Sequence, residues 1–100
     1  MIYCEIKTEG AVVTVTVTGH AGHAEPPHDI VCAGVSTLFM ALCDTAEEAG
    51  VEMDYLDGKD AKRVKLYRTR MVMHNVHMFE LGIKAIAREY PKNVKIDTGS

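Results

Sequence analysis

One hundred residues, 47% apolar and 25% charged, are enough for one globular domain with a single core. The net charge of −3 excludes a bulk nucleic-acid binder, and no run of about 20 apolar residues offers a membrane span. Three cysteines, at 4, 32 and 43, cannot pair evenly, and Met1-Ile2-Tyr3-Cys4-Glu5 lacks the basic and apolar parts of a signal peptide. Both features point to reduced thiols in a cytoplasm.

Residues 1–8 alternate loosely up to the turn signal Glu9-Gly10. Ala11 to Thr18 then alternates Val and Thr with period two, which predicts a strand burying Val13, Val15 and Val17 and a hairpin with the first segment. Gly19 to His28 has no period, and Pro26-Pro27 forbids helix there. Asp29 reads as an N-cap opening a helix over about 30–49, with Val31, Val35, Leu38, Leu42 and Ala46 in one apolar line and Phe39 and Cys43 beside it. Gly50 stands where a left-handed terminator belongs.

Val51 to Leu56 and Arg63 to Arg70 predict a second hairpin around Asp57-Gly58. A second helix is expected to begin near Asn75, with Val76, Phe79, Ile83, Ile86 and Tyr90 inward, Met78, Leu81 and Ala85 widening that face, and Pro91 ending it. Lys92 to Asp97 suits a last strand, with Val94 and Ile96 inward. The expected fold is α+β, one domain over 1–100, ordered β-β-α-β-β-α-β, with two helices on a largely antiparallel sheet.

Two residues carry the chemical interest. Cys32 falls in the first turn of the expected helix, where unpaired amides favour a thiolate. His20 lies just past the strand end, between Gly19 and Gly22, which give the backbone room to fold it back. Ser36, four residues after Cys32, shares its helical face and is placed to bond the sulfur or a substrate. A buried, inert Cys32 in a ribosome-associated binding module is the bland alternative. A zinc site built from His20, His23, His28 and Cys32 is a third reading, weakened by the lack of a paired short spacing. Cys4 and Cys43 read as buried apolar residues. His74 and His77 read as surface or capping residues. Six of the eleven basic residues crowd into 59–70, just after five acids, as a mixed strand pair balanced locally would require.

Thr18-Gly19-His20-Ala21-Gly22 followed by Asp29-Ile30-Val31-Cys32-Ala33-Gly34-Val35-Ser36 resembles the paired signature of the ribosomal-processing cysteine protease family, Prp. The resemblance extends over most of the chain. It implies a cofactor-free, metal-free cysteine endopeptidase that removes a short N-terminal extension from the large-subunit ribosomal protein numbered twenty-seven. It also implies a homodimer in a bacterial cytoplasm, bound to neither membrane nor nucleic acid. By motif position Cys32 is the nucleophile and His20 its general base, supported by Gly19, Asp29 and Ser36. The chain departs from the family pattern at His23, where a Tyr is usual, and at Pro27, where a Gly is usual. Pro26-Pro27 stiffens the loop that the resemblance implies must move aside for substrate.

Overall fold

The computed structural model describes residues 1–19, 28–58 and 60–99, with backbone alone at 28 and 29. The elements run β1 (Ile2–Glu9), β2 (Val12–Thr18), α1 (His28–Glu48), β3 (Met53–Asp57), β4 (Ala61–Tyr67), α2 (Arg70–Glu89) and β5 (Val94–Asp97). This is the expected α+β order. The five strands form one sheet in the order β3-β4-β2-β1-β5.

Three of its ladders are antiparallel and the β1–β5 ladder is parallel. The registers align the apolar residues in rows across the sheet: Ile6 faces Val15, which faces Val64, and Ile2 faces Val94. One sheet face is therefore buried, and both helices cover it. The crossovers β2-α1-β3 and β4-α2-β5 leave antiparallel strands and move in opposite lateral directions. Right-handed connections of that kind must place both helices on the same side. Phe39 of α1 meets Phe79 of α2 edge-to-face, with ring centroids 6.5 Å apart. At the same interface a Cβ on Gly82 would lie 2.8 Å from Leu38 Cδ1, so a larger residue there would require the Leu38 side chain to shift.

The end of α1 follows its sequence signal. Gly50 has φ +71°, its N–H donates to Glu47 O, and Val51 N–H donates to Ala46 O, the double bond of a Schellman terminus. The start differs from expectation. Asp29 is the second helical residue rather than the cap, because α1 already begins at His28. Ile30–Glu48 is long and apolar enough to cross a membrane by length and composition alone, although polar and acidic residues interrupt it. Its Val31, Val35, Phe39 and Leu42 are instead buried in the core.

α2 begins five residues before the expected Asn75, and β4 ends at Tyr67 rather than Arg70. Thr69 is the reason: in extended backbone, its Oγ1 accepts from Val72 N–H at 3.0 Å and starts the helix there. Thr69→Ala is expected to cost about 1 kcal/mol, read as a lower urea midpoint with an unchanged m value. The longer helix buries Val72 together with Val76, Phe79 and Ile83. Met78 and Leu81 are exposed and do not widen that face as expected. His74 and His77 lie within α2, exposed, instead of flanking its start.

The charged hairpin is balanced locally as expected, with Asp54 opposite Lys65 and Asp57 opposite Lys62. Its strands still split by face: Lys62 shares parity with the inward Val64 and Leu66, whereas Arg63 and Lys65 point away from the helices.

Candidate active site

The site is assembled where four elements end together: the start of β1, the end of β2, the β3–β4 turn and the first turns of α1. The Val31 and Val35 side chains sink into the core, at 1% exposure each. Rotation about the helix axis then leaves Cys32 and Ser36 on the flank of that buried arc, half-buried and side by side one turn apart. Both line a cavity of about 200 Å³, together with Gly19, Asp60 and Lys62.

Gly19 is held there from two sides. Its N–H donates to Asp60 O at 3.2 Å, tying the end of β2 to the β3–β4 turn. Its φ is +91°, and a Cβ would run into the Met1 carbonyl oxygen. Only glycine meets both demands. Gly19→Ala is expected to destabilise the fold by roughly 2–4 kcal/mol, through left-handed strain plus a backbone clash, read by thermal unfolding.

Of the expected site residues, the structure brings Gly19, Cys32 and Ser36 together on one cavity. Asp29 lies three residues before Cys32 in the first turn of α1, and a carboxylate there remains favourable for the helix. Cys32 is the fifth helical residue, one position past the expected first turn. Its own N–H therefore falls within the helical ladder, and the amides without an intrahelical acceptor are those of residues 28–30. His20, His23 and the Pro26-Pro27 pair lie outside the described residues, and so does most of the zinc ligand set. Among the described residues no cluster of His, Cys, Asp and Glu suits a metal ion.

The three thiols differ sharply. Cys4 is fully enclosed in the sheet, and burial pushes its pKa up to about 12. Cys43 is 8% exposed, and burial, assisted by the Asp44 carboxylate, pushes it up to about 11. Both are apolar core residues, as expected from the sequence. Cys32 opens on the cavity.

Neither Asp60 nor Lys62 is expected at the site from the sequence, where Lys62 reads only as part of the basic run over 59–70. Asp57-Gly58 signalled the turn that carries Asp60. Nothing in the chain signalled that the β2–β4 register would set that turn beside Gly19.

The chain resembles known proteins along nearly its whole length. The family model for cysteine protease Prp matches residues 1–95. The ribosomal processing cysteine protease Prp of Staphylococcus aureus strain Mu50 is 27% identical over 97 residues, covering 92% of each chain. Among solved structures, SMU.848 from Streptococcus mutans is 30% identical, covers 98% of this chain and 93% of its own, and superposes with a TM-score of 0.77. The S. aureus ribosomal processing protease Prp, crystallised with a covalently linked product peptide, is 24% identical, with coverage of 98% and 99% and a TM-score of 0.82.

Proposed function

The chain belongs to the cysteine protease Prp family and is a cysteine protease, and from that premise we propose that it processes a ribosomal protein precursor. The substrate is the large-subunit protein numbered twenty-seven, carrying an N-terminal extension that this enzyme removes. The S. aureus relative is named for ribosomal processing, which supports this substrate class. One observation carries the reading: of the three cysteines, Cys32 alone lines the cavity bounded by Gly19, the residue covalently next to His20.

His20 removes the Cys32 thiol proton, and the thiolate attacks the scissile carbonyl carbon. The carbon–nitrogen bond breaks as the imidazolium returns its proton to the leaving amine. A thioester remains on Cys32, and water deprotonated by His20 hydrolyses it. The amides of residues 28–30, which have no intrahelical acceptor, are the candidate donors to a developing oxyanion, with Asp29 and Ser36 in support. Gly19 fixes the backbone immediately before His20 in the sequence. The enzyme works as a homodimer in a bacterial cytoplasm.

The test is direct incubation of the purified precursor with the enzyme, followed by intact-mass analysis. A single truncated product with a new N-terminus is expected. A precursor left whole while the enzyme cleaves other proteins would contradict the proposed substrate.

A further inference from the structure

Three of the six methionines and two of the five histidines fall within residues 71–78, in the first half of α2. Met73 packs against the core. The other four, Met71, His74, His77 and Met78, face away from it. Met71 and Met78 are 38% and 55% exposed, and both imidazoles are exposed. The core does not account for them, because the buried stripe of α2 is Val72, Val76, Phe79 and Ile83.

Their spacing gathers three donors on one turn. His74, His77 and Met78 stand at i, i+3 and i+4, which on a helix puts Cβ atoms about 5–6 Å apart on one face. Side chains lean towards the helix N-terminus, so His77 and Met78 both reach back over His74. Met71 stands three residues before His74, where the same lean carries the His74 ring over it. Neither imidazole makes a hydrogen bond or an ion pair among the described residues, so the ring nitrogens are free to ligate. None of the four residues lines the Cys32 cavity.

The donor types select the ion. Among the described residues no third His, Cys, Asp or Glu joins His74 and His77, so a site for zinc is incomplete there. The donor that completes the turn is a thioether, which favours copper(I). We propose that His74, His77 and Met78 form a copper(I) site on the exposed face of α2, through two imidazole nitrogens and Met78 Sδ, with Met71 Sδ as a fourth donor. Ligation needs neutral imidazoles, so the site weakens as pH falls below about 6.5.

The test uses the whole chain as the Cys32→Ala protein, which removes the accessible thiol as a competing soft ligand. Silver(I) nitrate in chloride-free buffer serves as a redox-stable stand-in for copper(I), and the Met methyl and His ring signals are followed by NMR. Saturable shifts of Met78, His74 and His77 are expected, with zinc(II) binding at least about tenfold more weakly. Met78→Leu is expected to weaken silver binding about tenfold, and His74→Gln combined with His77→Gln by more than that. Lowering the pH to about 5.5 is expected to weaken it at least about tenfold, which binding by thioethers alone would not show. The three positions are exposed, so the variants keep the fold, as circular dichroism checks. Silver affinity unchanged in either variant, zinc bound as tightly as silver, or no shift at Met78 would each overturn the proposal. Shifts confined to Met40 and Met53, which line a pocket with Cys43 between α1 and the β3–β4 hairpin, would place the ion at that thiol and overturn it as well.

Discussion

Cys32→Ala is expected to abolish cleavage of the precursor extension, with a loss of at least about 10³-fold in kcat/KM. The substitution removes the only atom that forms the thioester, and no other described thiol reaches the cavity. Cys4 is enclosed in β1, and Cys43, 8% exposed, lines a different pocket, between α1 and the β3–β4 hairpin. The fold is expected to survive, because Cys32 is half-buried beside a cavity and alanine is a better helix former. Circular dichroism and the melting temperature separate loss of chemistry from loss of structure. His20→Ala is expected to match that loss, since residues that act as one unit do not add. Full cleavage by either variant would contradict the dyad.

The second large effect is chemical selectivity among the three cysteines. Iodoacetamide alkylates thiolates. At pH 8 a thiol raised to about 11 is ionised in roughly one molecule in a thousand, and one raised to about 12 in roughly one in ten thousand. Cys43 and Cys4 are also sterically covered. Carbamidomethylation of the folded protein is therefore expected mainly at Cys32, at least about 10²-fold faster than at the other two, with all three reacting in denaturant. Peptide mapping after timed quenching measures it. Comparable labelling of Cys4 or Cys43 in the native state would show that the core opens on the same timescale.

The two core thiols also give the stability a direction with pH. Their folded pKa values lie above the usual thiol value, so their contribution is complete below about pH 9 and is lost as pH rises towards 11 and 12.

What could be read from the chain is what short-range periodicity encodes. The Val/Thr alternation of residues 11–18 and the apolar line from Val31 to Ala46 gave β2 and α1 because burial has one period in each element. Gly50 ended α1 as its type required. The run Arg68-Thr69-Arg70 misled, because it reads as the end of the β4 alternation until Thr69 is recognised as a cap. Met78 and Leu81 misled in another way, since an apolar residue beside a buried stripe need not lie under it. The parallel β1–β5 ladder was not legible, because Val94 and Ile96 specify an inward face but no neighbour.

The candidate site divides similarly. Gly19, Cys32 and Ser36 were legible because motif spacing and one helical turn place them. Asp60 and Lys62 arrive through a register between strands more than 40 residues apart in sequence. A chain read in order carries no trace of that.

The central claim is that the Cys32 thiol carries out the cleavage. Titrating the wild-type protein with iodoacetamide and plotting precursor cleavage against the fraction of Cys32 modified, by intact mass and peptide mapping, tests it without any mutation. Activity is predicted to fall in proportion and reach zero when Cys32 is fully blocked, with Cys4 and Cys43 untouched. Undiminished cleavage by protein whose Cys32 is fully carbamidomethylated would contradict the account.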